Sequence, residues 1–186
     1  MVTPIRSVDE LCTAAETILK TYLVNTMTGF GYTTGAGYKP IKTWQQVPTV
    51  TALSTADLPG IAIVASDTVG DPIYQAVTDT WLTTWRISTG LYVRGGTHDE
   101  TQARVRNYIA AIRATYLTHK SLGGYCRPIQ WKGEGYNLLP ARNEARTIAA
   151  GACTFDATVE VTTKPLQLDL PTVATTQTTV TAHPGS

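Results

Sequence analysis

Apolar residues recur at three- and four-residue spacing from Val8 onward. Leu11, Cys12, Ala15, Ile18, Leu19, Tyr22 and Leu23 fall on one stripe, opposite Asp9, Thr13, Glu16, Thr17 and Lys20. The spacing predicts an amphipathic helix, and Ser7-Val8-Asp9-Glu10 has the form of a capping box that would start it. Thr97-His98-Asp99-Glu100 repeats that form, and Val105, Tyr108, Ile109, Ile112 and Tyr116 follow as a second buried stripe. Gly123-Gly124 supplies a left-handed stop, so a second helix is expected over about residues 98–120. Arg106, Arg113 and Lys120 recur every seventh residue along one border of its stripe, where long cations snorkel or pair across an interface.

Between and after the helices the period changes to two. Residues 61–65 form a short apolar run bounded by Pro59-Gly60 and Asp67, as a buried strand does. Over 81–93 the side chains alternate: Trp81, Thr83, Trp85, Ile87, Thr89, Leu91 and Val93 share one face, and Thr84, Arg86, Ser88 and Arg94 the other. Asp71-Pro72 and Thr78-Asp79 read as turns between these two strands. Two further strands, 127–139 and 144–162, are expected to form a hairpin through Pro140-Ala141-Arg142-Asn143. In the second of them Phe155, Ala157, Val159 and Val161 point inward, against Thr154, Asp156, Thr158 and Glu160.

Two stretches lack either period. Residues 25–60 are rich in Gly, Thr and Pro around Gly29-Phe30-Gly31-Tyr32-Thr33-Thr34-Gly35-Ala36-Gly37-Tyr38, and read as a long, mobile, aromatic-bearing arm or a plain surface loop. Residues 163–186 are rich in Thr and Pro, with leucines at 166, 168 and 170 and no charge after Asp169. They read as an extended tail, ordered only where it lies on a neighbour. The expected architecture is one α+β domain over residues 1–162, in the order α-β-β-α-β-β. Its mostly antiparallel sheet of about four strands is covered by both helices.

Composition narrows the function classes. Fifteen basic against fourteen acidic residues leave a net charge of +1, so no chain-wide footprint for nucleic acid or an anionic membrane exists. Charged residues make up only 16%, below the usual quarter, and a surface with so little self-repulsion suits association with copies or partners. The three cysteines, 12, 126 and 153, fit neither a disulfide framework nor a Cys-x-x-Cys metal site, and are expected to be reduced, buried and intracellular. No signal-peptide pattern and no long apolar window occurs, so neither secretion nor membrane spanning is expected.

No constellation for catalysis emerges. His98, Asp99 and Glu100 are adjacent on a helix, about 100° apart, and cannot converge on one metal; the polarity of a helix start explains them. His119, beside Lys120, suits the negative end of the same helix, and His183 lies in the tail. The glycine-rich tract lacks the Gly-Lys-Ser/Thr ending of a phosphate-binding loop, and no Gly-x-Ser-x-Gly, His-Glu-x-x-His or Cys-x-x-Cys pattern is present. Arg104, Arg106 and Arg113 with Tyr108 and Tyr116 resemble a nucleic-acid face only superficially, because the tyrosines belong to the buried stripe. The chain is therefore expected to be no enzyme and to need no cofactor or metal.

At residues 86–96, Arg-Ile-Ser-Thr-Gly-Leu-Tyr-Val-Arg-Gly-Gly followed by the capped helix, the chain resembles the tail terminators of long-tailed, siphovirus-like bacteriophages. The resemblance spans about residues 5–162 and consists of the order of elements: an N-terminal helix with a long loop after it, a long strand leading directly into a helix, and a final hairpin. It implies a virion protein assembled in the host cytoplasm as a six-membered ring that ends the tail tube and joins the tail to the head or neck. Its partners would be copies of itself, the tube protein and a head-completion protein, with DNA passing through the lumen without sequence-specific binding. On that reading Arg106, Arg113 and Lys120 of the second helix, with Arg86 and Arg94 of the long strand, are the candidate subunit contacts. Phe30, Tyr32, Tyr38 and Trp44 of the arm, with Trp131 and Tyr136 of the hairpin, are the candidate axial contacts. Three rival readings stand beside it: a head-completion connector, a small enzyme with a site in the cleft by the 25–60 loop, and a module that adds a strand to a partner.

Overall fold

The computed structural model describes residues 3–5, 7–46, 57–139 and 148–162. The first apolar stripe forms α1, Val8–Gly29, burying Leu11, Cys12, Ala14, Ala15, Ile18, Leu19, Leu23 and Met27. Tyr22, expected on that stripe, is exposed at its border and stacks on His119 with ring centroids 3.8 Å apart. α1 runs to Gly29, into the stretch that the sequence reading leaves as a loop. Its threonines are satisfied within the helix: Thr17, Thr21, Thr26 and Thr28 each donate to the carbonyl four residues back, so residues that compete with helical bonding elsewhere are accommodated here. Ser7 precedes α1 in extended conformation, but its side chain makes no capping hydrogen bond.

The second stripe forms α2, His98–Thr118, and here the N-cap hydroxyl bond forms, while the glutamate reaches one residue further back than a capping box requires. Thr97 Oγ1 accepts from the Glu100 amide at 3.3 Å, and Glu100 Oε2 accepts from the Gly96 amide at 3.1 Å. All five residues of the expected stripe are buried. The helix stops before Lys120, and the left-handed Gly123 and Gly124, with φ of 74° and 97°, turn the chain a few residues beyond it.

Six strands make one mixed sheet: β1 Thr43–Gln45, β2 Gly60–Thr68, β3 Ile73–Gln75, β4 Thr80–Arg94, β5 Gln130–Leu139 and β6 Ile148–Val161. The order is β1-β2-β4-β6-β5, with β3 paired to the start of β4. β1 runs parallel to β2, the other strand pairings are antiparallel, and an isolated parallel bridge joins Ile5 to Val161. The four long strands are those expected; β1 and β3, three residues each, carry too few positions for an alternation to register. Parallel neighbours need a crossover, and the chain between Gln45 and Gly60 is long enough for one. The expected connection 140–143, the start of the last strand at 144–147 and the tail 163–186 lie outside the described residues.

β4 and β6 pair over fourteen positions, Trp81↔Val161 to Arg94↔Ile148, and form the spine of the sheet. Both helices pack on one face of it. Ile61, Ile63, Ile87, Leu91, Cys153, Phe155, Ala157 and Val159 meet Leu11, Ala15, Leu19, Ile109, Ile112 and Tyr116 in a single core, each large side chain contributing on the order of 1.5–3 kcal/mol by leaving water. α2 approaches β6 at Gly151, where an added Cβ would stand 2.7 Å from Val105 Cγ1 and 2.8 Å from Ile109 Cγ1. A hydroxyl pair closes the centre of the core, with Tyr116 Oη and Thr89 Oγ1 3.0 Å apart. Trp81, expected on this inward face, is exposed, because neither helix reaches the outer end of β4.

Candidate interaction surfaces

Among the described residues, no helix lies on the other face of the sheet. Alternation brings the even-numbered side chains of β4 and β6 to it, and the register aligns them in rows. Ala62, Gly90, Ala152 and Gly135 form one row across four strands, flanked by Val64-Ser88-Thr154-Gly133 on one side and Tyr92-Ala150-Asn137 on the other. With so little side chain above the backbone, the surface sinks into a concavity of about 350 Å³, lined among others by Ala62, Val64, Ser88, Gly90, Tyr92 and Asn137.

Charge gathers at one end of this face. Asp156, expected to point to solvent, is 4% exposed and receives two cations: Arg86 Nε at 3.1 Å and Lys132 Nζ at 3.3 Å. Arg86 is held more firmly protonated by its hydrogen bond and charge contact with Asp156. A carboxylate that loses its water needs such partners, and the cross-strand register Arg86↔Asp156 provides the first of them. Asp67 stands opposite Arg86 on the other side, after a bulge in β2.

A second cluster sits where α2 overhangs β5, the edge strand. Arg113 Nη1 donates to Glu134 Oε1 at 2.8 Å, Tyr136 Oη donates to Glu134 Oε2 at 2.6 Å, and the guanidinium lies 5.2 Å from the Trp131 ring centroid. Burial, and then the Glu134 hydrogen bond, push the Tyr136 phenol up to about 12. Trp131 and Tyr136 keep exposed flanks, so the edge offers aromatic surface beside strand backbone that no described strand pairs.

The third cluster follows α1. Phe30 is exposed, whereas Tyr32 and Tyr38 stack on one another at 5.0 Å and Tyr38 meets Tyr108 edge-on at 5.5 Å. Tyr108 donates to the Lys39 carbonyl and accepts from the Lys39 amide, while Asn107 donates to Tyr38 Oη. The expected mobile arm is thus, through Gln46, a loop fastened to α2 by its tyrosines. Trp44 is partly buried, with Lys20 Nζ 5.5 Å from its ring centroid. Glu16, beside it, is held below the usual carboxylate range despite the opposing effect of its burial, because Lys20 and Gln46 both donate to it.

The eleven residues singled out from the sequence therefore divide by environment. Arg113, Trp131 and Tyr136 come together at the β5 edge, though the sequence reading places the first in a different contact from the other two. Arg86 joins Asp156 on the bare face, and Arg94 lies farther along the same face of β4. Arg106 is exposed and donates to Gln102 on its own helix; Lys120 is exposed beyond the helix end. Phe30 is exposed but meets Tyr32 edge-on at 5.8 Å between ring centroids, while Tyr32, Tyr38 and Trp44 are engaged within the chain. Sequence reasoning missed Asp156, whose position within an apolar run was the available signal. It also missed the exposed group Ile73, Tyr74, Val77 and Trp81 at the β3–β4 hairpin.

Among the described residues no group of three or more His, Cys, Asp or Glu side chains is placed to hold a metal ion, and no helix is long and apolar enough to cross a membrane. All three cysteines are unpaired and buried. Burial pushes the thiols of Cys126 and Cys153 up to about 12, the opposite of what a nucleophile requires.

No protein-family model matches the chain, and no curated protein does. Among solved structures, a chain from "Virion of native gene transfer agent (GTA) particle" is similar to it at a TM-score of 0.43 and 10% sequence identity. The similarity covers 81% of this chain and 94% of that chain.

Proposed function

We propose that the chain is a structural subunit of a phage-like virion, and within it a tail terminator: a protein that forms a ring with its own copies, ends the tail tube and joins it to the neck. The observation that carries the reading is the bare sheet face. Four adjacent strands present one surface of small, mostly uncharged residues, with charge confined to its ends, and among the described residues no helix covers it. A ring of identical subunits closes through a head-to-tail contact between two different surfaces of each copy. The bare face and the β5 edge, with its Trp131–Arg113–Tyr136 cluster, are two such surfaces. Support also comes from the elements that carry the sequence resemblance, since β4 passes into α2 through Gly95, Gly96 and the Thr97 cap alone.

The reading requires shape-matched contact and no covalent chemistry. Its test is electron microscopy and native mass measurement of the chain alone and with tail tubes of the same virus. Rings seated on tube ends, and tubes of defined length, are expected. A chain that binds portal complexes and ignores tubes would instead be a connector, and one that stays monomeric with both would sink the reading.

A further inference from the structure

The inward face of the sheet continues past the ends of both helices, onto the β3–β4 hairpin. There Tyr74 and Trp81 are direct neighbours across the ladder, on that same face, with ring centroids 5.3 Å apart. They remain 50% and 41% exposed, and Val77 at the tip is 99% exposed. The pairing of β4 with β6 ends at Trp81↔Val161, so the hairpin projects beyond the rest of the described sheet. Two large rings on a projecting hairpin, open to water among the described residues, are a contact surface without its cover.

The ring reading requires a counterpart for the bare face, and three observations favour this hairpin over the β5 edge. The first is shape. The row Ala62-Gly90-Ala152-Gly135 leaves a concavity of about 350 Å³ with little side chain on its floor, where rings find room. Four adjacent strands span about 14 Å and the two strands of the hairpin only about 5 Å, so the floor is wide enough to receive it. The second is charge. Residues 66–85 hold Asp67, Asp71 and Asp79 and no cation, and Asp79 accepts from Tyr74 Oη at 2.9 Å, beside the rings. At the Asp156 end of the bare face Lys132 is exposed beside that buried carboxylate, three strands away from Asp67, and offers the complementary sign. The third is direction. The rings look toward the helix side of the sheet and the concavity looks away from it. A contact between oppositely directed surfaces cannot be returned by the same two copies, so it repeats head-to-tail, as a ring demands. We infer that the Tyr74–Trp81 side of the hairpin of one copy seats in the Ala62-Gly90-Ala152-Gly135 concavity of the next, with Asp79 toward the next copy's Lys132. Successive sheets then overlap like tiles, all the same way up. The contact rests on the ring reading and names the two surfaces that meet in it.

Chemical cross-linking tests it. The three native cysteines are buried, and burial holds the thiols of Cys126 and Cys153 protonated. A short bismaleimide therefore reads thiols introduced by Val77→Cys at the hairpin tip and Ala152→Cys in the concavity. With tail tubes present, the chain carrying both is expected to give a ladder of covalently joined copies on a denaturing gel. An equal mixture of the two single variants is expected to give a two-copy product only, and each single variant alone none. Tyr74→Ser combined with Trp81→Ser is expected to raise the concentration needed for rings at least about tenfold, with an unfolding midpoint near that of the unaltered chain. Rings that form without a 77–152 product, or as readily in the serine variant, would overturn the contact and leave the ring reading standing. So would products from a single variant alone, which would indicate a two-fold contact. A chain that stays monomeric with and without tubes would remove the ring reading and this contact together. The cysteine pair keeps the test decisive if the serine variant folds poorly.

Discussion

At the scale of single residues, two glycines on neighbouring strands illustrate how differently the two sheet faces are used. Gly151 lies under α2, where a methyl group would collide with Val105 and Ile109, while nothing stands within 4 Å of a Cβ placed on Gly135. Gly151→Ala is expected to cost about 1–3 kcal/mol through overpacking, and Gly135→Ala to leave the denaturant midpoint nearly unchanged; equal effects would contradict the assignment of faces. The thiols carry a second expectation. Burial raises Cys126 and Cys153 from near 9 to about 12, so between those values the folded chain keeps protons that the unfolded chain releases. Their contribution is complete below about pH 9 and declines as pH rises through that window. Urea midpoints should therefore fall from about pH 9 upward, less steeply in Cys153→Ala, and a flat profile would show the thiols to be solvated. Asp156 marks the limit of what single residues disclose. Its alternation correctly assigns it away from the helices, but its burial depends on Arg86 and Lys132, which strand register alone brings to it.

At the scale of elements, both helices and the four long strands were legible because each carries enough turns or alternations for its period to emerge. β1 and β3 were not, since three residues define no period and their pairing with β2 and β4 is a tertiary outcome. The C-terminal turns of α1 were hidden by Gly and Thr, whose poor helix propensity is offset by packing of Met27 and by the threonine back-bonds. Capping separates the two helix starts, which look alike in sequence. Thr97 caps α2 through its hydroxyl and Ser7 makes no such bond to α1. Thr97→Ala should accordingly lower stability by about 1 kcal/mol, while Ser7→Ala changes it by no more than a few tenths. Thermal unfolding of the two variants side by side measures this, and an equal loss in both would remove the distinction.

At the scale of the molecule, the sheet is two surfaces with different demands. The helix side is filled by large side chains and tolerates little change. The bare side is built from residues such as Ala62, Gly90, Ala152 and Gly135, which contribute almost nothing to the core, so the fold by itself does not explain their smallness. The proposed ring does explain it, because a shallow, weakly charged surface of small side chains lets part of another protein approach closely across four strands. That difference makes self-association separable from folding. Gly135→Arg combined with Ala152→Arg places two cations at the middle of a face whose existing charges lie toward its two ends, without touching α1, α2 or the Thr89–Tyr116 pair. Such a chain is expected to unfold at a denaturant midpoint close to that of the unaltered protein and to fail to form rings on tube ends, with like charges opposing each approach of the surface. Circular dichroism during denaturation and electron microscopy of mixtures with tubes read the two properties separately. Rings that form as before, on a chain that folds as before, would exclude the bare face from the contact between copies and leave the β5 edge to be tested in its place.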